Sequence, residues 1–505
     1  MRVSSTYEHN LQAVYCHIGS RGIRVDTKRL SHAKQVVKAE IHRWLAVASN
    51  QWGCKVFIGA ANNPEKDAID ALGAVNLNAT QGKYALLSKL RDLGYELPKI
   101  TKKDQDGNYE SEESTAELAL QKILSKNQFN YPGGDPAIKA VLRIRELGKL
   151  SSSYLNALLF ARGDEHYFLS NYNVAGTLSG RRSSRKHTFR FGNNAQNFPK
   201  HSDTSELYRR CLVSRPGHIF LMVDQISAED WPVSALAENY KSLEQLKNTN
   251  DIYGRHTRLA SDLFNIPLAS RPPDEGLDNW KDSIERYIAK QTRHASNYDM
   301  LAPRLSEHFA KFGFSYSESK CKLLLDKMGQ IDPNIKTIFH KYVRTKISND
   351  RVLISPEPFL RERQFLGARP NDANNSLFKE AYSWIPQGCI GDNTGFAIFE
   401  LESSYPVNER YVVQEGHDSI VQDIPDDADT IYKTLLRTNN AFDRTIRFHN
   451  GIEIKIPIET EIGYDFATTV RIREFTRKAI QNARESLQSR IAEIRKSDNR
   501  VTVTV

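Results

Sequence analysis

Two apolar β-type runs lie almost 200 residues apart, and the chain between them has a mostly helical pattern. The first run, HIFLMVD, covers 218–224. The second, NERYVVQEGHDSIVQDIP, covers 408–425 and breaks at Gly416, which predicts a hairpin with His417 and Asp418 at its tip. Because a strand needs neighbours to bury its apolar face, the two runs are expected to share one sheet that is interrupted by a helical insertion. The pattern favours an α+β fold.

The remaining pattern divides into helices and short β segments. Apolar periodicity predicts helices over 28–48, 83–94, 136–160, 283–307 and, at the C-terminal end, from Arg471 onwards. Short β-type runs are expected from 166 and again over 351–365. The polar stretch 98–114, which contains the turn signal Asp106-Gly107, is expected to be a solvent loop.

Composition places the chain among ordinary globular proteins. Its 505 residues suggest roughly three structural units, and 39% hydrophobic with 26% charged residues excludes a disordered or collagen-like chain. No apolar run is long enough to span a membrane and the start, MRVSSTYEHN, lacks the apolar stretch of a signal peptide, so a cytoplasmic location without a membrane partner is expected. Five dispersed cysteines favour reduced core residues over disulfides or a zinc site.

The charge balance is basic. Lys and Arg exceed Asp and Glu by nine, a balance typical of proteins that bind polyanions, although charge alone does not identify the partner. Between Arg471 and Arg500 there are nine basic and four acidic residues. That predicted helix fits a DNA contact and a solvated face equally well.

Two aspartates stand at the ends of β-type runs. Asp224 follows LMV, and Asp418 follows His417 in the predicted hairpin tip. Taken alone, each also fits a turn or capping residue. Brought together from separate strands, however, two carboxylates can hold a pair of divalent cations about 4 Å apart, which is the arrangement that serves phosphoryl transfer.

The predicted helix 283–307 carries an unusual stripe. Arg286, Lys290, His294 and Tyr298 recur at steps of four, so they lie on one slowly winding face. A solvated surface is one explanation. The other is a nucleotide site, because two fixed cations suit a triphosphate and a flat ring suits a base.

These residues belong to a longer series of motifs that resembles family A DNA polymerases. GTLSGRRSS (176–184) resembles TxTGRLSS, NAQNFP (194–199) resembles NLQNIP, and VDQISAED (223–230) resembles the first catalytic motif, DYSQIEL. The stripe matches RxxxKxxxF/YxxxY, and GHDSIV (416–421) resembles VHDELV. Earlier segments, including IRELGKLSSSYLNAL, are similar to the thumb motifs of that family.

The resemblance implies an α+β right-hand polymerase fold with a helical thumb, an antiparallel-sheet palm and helical fingers. The expected parts are a thumb over 1–165, a palm over 166–240 and 346–470, fingers over 241–345, and a basic C-terminal helix and tail over 471–505. It also implies template-directed addition of dNTPs to a primer 3′-hydroxyl.

The resemblance further implies a role for each motif residue. Asp224 and Asp418 would be catalytic ligands of two Mg²⁺ ions, with Mn²⁺ as a possible substitute, and Lys290 would also be catalytic. The dNTP would be bound by Arg286, Lys290, His294, Tyr298, His256 and Glu229, with Glu229 excluding a ribose 2′-hydroxyl. Primer–template DNA would be bound by Arg181, Gln196, Asn197, Gln387 and His417.

Four positions depart from the family pattern. His294 stands where the family usually has Phe or Tyr, Asp299 replaces a glycine, Ser419 replaces a glutamate, and Trp231 replaces a frequent arginine. These changes affect the expected nucleotide selection, local helix geometry and metal preference. His294, Asp299 and Ser419 also leave open a catalytically silent scaffold that binds primer–template.

The thumb-like sequence begins within about 20 residues of Met1, so the expectation is a polymerase without its own proofreading exonuclease. It would tolerate errors or work with a separate exonuclease or other replication proteins. Replication of phage DNA in a host cytoplasm is the expected setting. A single-subunit RNA polymerase is the enzymatic alternative, and Glu229 argues against it.

Overall fold

The computed structural model describes residues 3–58, 75–77, 79–97, 99–103, 109–126, 135–200, 202–248, 253–272, 279–280, 282–312, 314, 316–367 and 376–501. The chain divides into two compact units. The larger comprises 1–31, 153–300 and 326–505, and the smaller comprises 32–152 and 301–325. The predicted division into thumb, palm and fingers stays a prediction.

The α-helices are α1 Ser5–Arg21, α2 Thr27–Trp52, α3 Ala79–Asp92, α4 Glu117–Lys126, α5 Pro136–Leu150, α6 Asp203–Arg209, α7 Asp230–Leu236, α8 Tyr240–Lys247, α9 Gly254–Phe264, α10 Ile284–Asn297, α11 Ala302–Lys311, α12 Glu318–Ile331, α13 Lys341–Asp350, α14 Ser376–Ser403, α15 Ala428–Phe442 and α16 Arg477–Val501. Short π-helical turns cover Ser151–Leu155 and Ile335–His340.

The strands are β1 Ile23–Val25, β2 Val56–Phe57, β3 Val75–Asn76, β4 Lys99–Lys103, β5 Tyr109–Glu113, β6 Phe160–Arg162, β7 Glu165–Phe168, β8 Asn171–Asn173, β9 Ser183–Arg185, β10 Leu212–Val213, β11 His218–Gln225, β12 Val352–Ile354, β13 Glu362–Gln364, β14 Val412–Glu415, β15 Ser419–Pro425, β16 Ile446–Arg447, β17 Glu453–Ile454, β18 Ile458–Gly463 and β19 Thr469–Ile472.

An antiparallel five-stranded sheet organises the larger unit, in the order β14-β15-β11-β18-β19. Its central strand β11 is the first apolar run of the sequence, and β14 and β15 form the predicted hairpin. Ile219, Leu221 and Val223 alternate along β11 and are buried. The prediction that the two distant runs share one sheet is confirmed.

Helices cover this sheet and complete the core. The buried side chains of β11 belong to one cluster with Tyr382 and Phe396 of α14, Leu435 of α15 and Leu487 of α16. A second sheet of the same unit has the order β10-β1-β7-β6, so it joins residues near the N-terminus to the segment that precedes β11.

The smaller unit has its own apolar core. Trp52, Leu86, Leu120 and Ile138 are buried together, each from a different helix. None of the helices in the described part of the chain is long and apolar enough to cross a membrane.

Two predictions about the first 165 residues are wrong in detail. The stretch 98–114 holds the antiparallel pair β4 and β5, where a solvent loop was predicted, and its Asp106-Gly107 turn lies outside the described residues. The helix predicted over 136–160 is α-helical only to Leu150. It continues as a π-helical turn over Ser151–Leu155, where serine side chains compete for backbone hydrogen bonds, and β6 begins at Phe160.

Two further boundaries differ. The helix predicted over 283–307 is two helices, α10 and α11, and the break contains Asp299 at φ +54°, a left-handed conformation that aspartate tolerates better than most residues. The C-terminal helix begins at Arg477, because the β-branched residues of 469–472 form the edge strand β19. Three cysteines are buried as expected, whereas Cys16 is exposed.

Candidate active site

The sheet register places Asp224 and Asp418 together. Asp224 on β11 lies opposite Ser419 on β15, and Asp418 is the residue that immediately precedes that strand. The backbone N–H of Gln225 donates to the carbonyl of Asp418 over 3.1 Å. Since neighbouring strands are about 4.8 Å apart, both carboxylates belong to the same end of the sheet.

The surroundings of the two carboxylates raise the pKa of each. Asp224 is an exposed residue. Partial burial of its carboxylate by neighbouring protein atoms, together with the negative charges of Asp418 and Glu459, raises its pKa to about 7. Burial also raises the pKa of Asp418. Glu459 is Asp224's partner on β18, but its carboxylate forms an ion pair with Arg471 over 2.8 Å. Asp224 and Asp418 therefore form an anionic pair that a cation would stabilise.

This pair fits magnesium. Within the described residues no group of three or more His, Cys, Asp or Glu side chains forms a metal cage. Magnesium, however, usually binds one or two carboxylates and takes its remaining ligands from water and substrate phosphates. Asp224 and Asp418 are the residues that would hold it.

A buried polar network locks the hairpin tip to the end of β11. The side-chain amide of Gln225 donates to the Thr394 hydroxyl over 2.9 Å and accepts from Asn393 over 2.8 Å. The Thr394 hydroxyl in turn lies 3.1 Å from the carbonyl of His417, the residue before Asp418. Gln225, Asn393 and Thr394 thus fix the backbone that carries one aspartate relative to the strand that carries the other.

The carboxylate of Glu229, the residue immediately before α7, contacts three polar side chains. Arg181 donates to one carboxylate oxygen over 2.7 Å, and the Tyr298 phenol donates to the other over 2.9 Å. His294 Nδ1 lies 3.2 Å from the second oxygen. Burial alone would raise the pKa of Glu229, but the His294 hydrogen bond, the Arg181 charge and the Tyr298 hydrogen bond lower it to about 2. Glu229 is therefore a fixed carboxylate in a fixed position.

The cationic stripe runs along α10 towards Glu229. Lys290 is exposed, and Arg286 is half-buried with its Nε donating to the Thr257 hydroxyl over 3.2 Å. His256 on α9 faces the same group, its ring centroid 6.4 Å from that of His294. Burial, together with the charges of Lys290 and Arg286, lowers the pKa of His256 to about 3, so its imidazole is neutral near pH 7. Tyr298 lies just beyond the end of the helix.

A buried ionic network supports the stripe from behind. Asp230 forms ion pairs with Arg255 at 3.5 Å and with Arg293 at 3.6 Å, and Arg293 also forms an ion pair with Asp332. Burial of Asp230 would raise its pKa, but the charges of Arg255 and Arg293 reverse the effect and hold it well below its usual range. Because Arg293 precedes His294 on α10, this network orients the helix that carries the stripe.

The predicted primer–template residues lie on segments near these groups. Arg181 pairs with Glu229, and Gln196 Nε2 donates to the Arg182 carbonyl over 3.4 Å. Asn197 ends the short 3₁₀ turn that also contains Gln196. Gln387 lies on α14, the helix that supplies Asn393 and Thr394. His417 stands at φ +75° in the hairpin tip, and burial lowers its pKa.

Sequence reasoning missed the two buried networks. Gln225, Asn393 and Thr394 are separated by about 170 positions, and nothing in the local pattern pairs them. Asp230 and Arg293 lie beside the motif residues Glu229 and His294, so adjacency was the available signal.

The comparisons with known proteins identify the family. The model of DNA polymerase family A matches residues 56–468. The chain is 21% identical over 460 residues to the thermostable DNA polymerase I of Thermus filiformis, covering 90% of this chain and 47% of that protein. It is 24% identical over 313 residues to DNA polymerase I of Helicobacter pylori, covering 62% and 31%. The chain thus spans about half the length of the Thermus protein.

A solved structure shares the fold. The POL domain of Pol1 from M. smegmatis, in complex with DNA primer-template and dNTP, matches with a TM-score of 0.65 at 17% identity, covering 91% of this chain and 70% of that one. The match confirms the α+β right-hand polymerase fold class. Because the family model covers well over half of the residues, the chain belongs to DNA polymerase family A.

Proposed function

We propose that this chain is a template-directed DNA polymerase that adds dNTPs to the 3′-hydroxyl of a primer. The observation that carries the proposal is the adjacency of Asp224 and Asp418 at one end of the sheet. Five residues after Asp224, the carboxylate of Glu229 accepts a hydrogen bond from Tyr298 at the end of the cationic helix. An anionic metal site beside a cationic phosphate site is what phosphoryl transfer from a triphosphate requires.

The aspartates would hold two divalent cations, Mg²⁺ or Mn²⁺. When bound, the metal supplies Lewis acidity that favours the primer alkoxide and neutralises charge on the phosphates. Arg286 and Lys290 would bind the β- and γ-phosphates, and positive charge fixed beside developing negative charge is usually the largest catalytic contribution. His256, neutral near pH 7, would donate one N–H to the same phosphates.

Glu229 would select the sugar. Its three partners hold its carboxylate in one place, and a rigid side chain there leaves no room for a ribose 2′-hydroxyl. This favours dNTPs and argues against a single-subunit RNA polymerase. His294 and Tyr298 would lie against the base of the incoming nucleotide.

Arg181, Gln196, Asn197, Gln387 and His417 would hold the primer–template, whose phosphates make its binding salt-dependent. The thumb over 1–165, the palm over 166–240 and 346–470, the fingers over 241–345 and the basic helix and tail over 471–505 belong to the same proposal. The absence of proofreading, a phage role, a cytoplasmic location and a partner exonuclease stay predictions.

Extension of a labelled primer tests the proposal. The purified chain is incubated with primer–template, Mg²⁺ and either dNTPs or NTPs, on templates that present each of the four bases. Template-matched addition of dNTPs, with NTPs used far less well, is the expected result. A chain that binds primer–template but extends nothing would be the silent scaffold, and preferred use of NTPs would identify the RNA polymerase.

A further inference from the structure

A long acid-free segment leads out of the candidate site. Residues 166–202 contain no Asp or Glu but six Lys or Arg. Two of the six are already engaged, because Arg181 pairs with Glu229 and the buried Arg182 pairs with Asp392. The others are exposed. Arg185 ends β9, and Lys186 and Arg190 lie between that strand and the 3₁₀ turn at Ala195–Asn197.

This segment, residues 185–191, is called here the basic tip. It is an ordered turn: the N–H of Arg190 donates to the His187 carbonyl over 2.8 Å, and the N–H of His187 donates to the Phe191 carbonyl over 3.1 Å. Thr188 accepts a hydrogen bond from Asn171 on β8 over 3.2 Å. The tip is therefore preorganised for contact.

The base of the tip is anchored by close packing. Phe191 packs edge-on against Phe160 with ring centroids 5.2 Å apart. Gly192, at φ +55°, donates from its N–H to the Leu158 carbonyl over 2.7 Å, and a Cβ there would fall 1.8 Å from the Leu169 carbonyl oxygen. Only glycine fits this position. The base of the tip is therefore held close to Leu158 and Leu169, beside strands β6 and β7, while its outer residues face solvent.

The outer residues of the tip combine an exposed aromatic ring with several cations, which is unusual for a solvent-exposed turn. Phe189 is 74% exposed. None of Arg185, Lys186 and Arg190 has a carboxylate partner in the described part of the chain, and the segment contributes no acid of its own. An exposed ring flanked by unpaired cations matches a surface of phosphates and sugars, since cations bind the phosphates while the ring covers the apolar sugar edge.

We propose that the basic tip is an additional contact to the duplex part of the primer–template, with Arg185, Lys186 and Arg190 on backbone phosphates and Phe189 against the sugars. The inference rests on the proposed function, because both flanks of the tip, Arg181 on one side and Gln196 with Asn197 on the other, are proposed duplex contacts. An extended chain rises about 3.3 Å per residue, so the six steps from 181 to 187 reach at most about 20 Å, or about six base pairs. The tip therefore meets duplex within the first helical turn.

Binding of a fluorescent primer–template at several salt concentrations tests the tip. The triple variant Arg185→Ala, Lys186→Ala and Arg190→Ala is compared with wild type and with a charge-matched control, Lys241→Ala, Lys247→Ala and Lys433→Ala, whose exposed lysines lie on α8 and α15. Each phosphate contact contributes about 0.9 to the slope of log Kd against log salt. We expect the tip variant to lower that slope by two to three units and the control to leave it near the wild-type value.

A second variant isolates the aromatic contact. Phe189→Ala is expected to weaken binding about three- to tenfold without changing the salt slope, because an apolar contact releases no counterions. Val407→Ala, which removes a side chain that is 76% exposed on another turn, is expected to change neither. Thermal unfolding of each variant confirms that it folds.

Several results would overturn the tip assignment. Equal salt slopes for the tip variant and its control would show that the tip does not contact phosphates. If the tip variant lost as much affinity for a single strand of the same length, the contact would not be to duplex. An effect of the tip variant that appears only on duplexes longer than about ten base pairs, one helical turn, would contradict the expected reach. Failure of the wild type to extend a primer would instead contradict the proposed function, whereas the binding comparison tests the tip in either case.

Discussion

The phenol of Tyr298 donates a hydrogen bond to a carboxylate oxygen of Glu229 over 2.9 Å, and this contact joins the end of the cationic helix α10 to the turn that follows the strand carrying Asp224. Arg181 holds the opposite oxygen. The carboxylate therefore connects three parts of the candidate site: the helix proposed for phosphates, the strand proposed for metal and the segment proposed for DNA.

Removal of this carboxylate should relax sugar selection. In Glu229→Ala the space beside the sugar is vacated, so the ratio of kcat/KM for a dNTP to that for the matching NTP should fall by about 100-fold. Single-nucleotide extension measures it. Tyr298→Phe serves as the comparison, because it keeps the ring and should reduce the ratio far less. An unchanged ratio in Glu229→Ala would reject the sugar-selecting role.

The Gln225 network should matter for rate more than for nucleotide binding. Gln225→Met leaves Asn393 and Thr394 without their buried partner and loosens Asp418, so a stability loss of about 2 kcal/mol and a roughly tenfold lower kcat at unchanged dNTP KM are expected. Gln422→Met is a matched control, since Gln422 is also buried in β15 and donates to Thr438 over 2.8 Å, away from the site. Equal loss of kcat in both variants would assign the effect to general destabilisation.

The Asp230 network should respond strongly to loss of its charge. Asp230→Asn leaves Arg255 and Arg293 buried with too little negative charge, which should cost about 3 kcal/mol of unfolding free energy in a urea titration. The exposed pair of Glu453 with Arg447 provides the control, and Glu453→Gln should cost less than about 1 kcal/mol. Similar costs for both substitutions would argue against a supporting role for Asp230.

His340 predicts an acid-dependent loss of stability. It is 4% exposed, its Nε2 lies 2.9 Å from the Asn297 carbonyl, and burial lowers its pKa to about 4. The unfolded chain takes up a proton near pH 6.5 while the folded chain does not, so stability is present above that pH and is lost as the pH falls towards 4. His340→Gln removes this dependence.

The unfolding free energy of wild type relative to His340→Gln should therefore fall by roughly 3 kcal/mol between pH 7 and pH 4, at about 1.4 kcal/mol per pKa unit. Urea titrations at a series of pH values give the difference. Two curves that stay parallel over this range would show that His340 does not titrate as its buried position requires.

Much of this architecture could be predicted from local pattern. The alternation in HIFLMVD and the break at Gly416 located the sheet and the hairpin, because strand burial and turn formation depend on neighbouring residues. The helix α14 was not predicted, since the segment GCIGDNTGF carries three glycines that weaken a helix. The structure supplies the reason: a Cβ on Gly395 would fall 2.2 Å from a guanidinium nitrogen of the buried Arg182.

The residues of the candidate site also divide into those that local pattern predicted and those that it did not. Motif spacing found Asp224, Asp418 and the stripe, whereas the partners of Gln225 and Asp230 depend on contacts between segments that are distant in the sequence. Asp299 shows a third case. Its place in a helical pattern predicted continuation, but the backbone turns left-handed there and α10 ends.

Primer extension by Asp224→Asn and Asp418→Asn tests the central claim most directly, because each substitution keeps the side-chain shape and removes only the charge proposed to bind metal. Each variant should lose extension by roughly 1,000-fold or more, with primer–template affinity within a few-fold of wild type. Asp164→Asn, on an exposed turn of the same unit, should extend normally. Extension by either active-site variant at a rate near that of wild type would contradict the account.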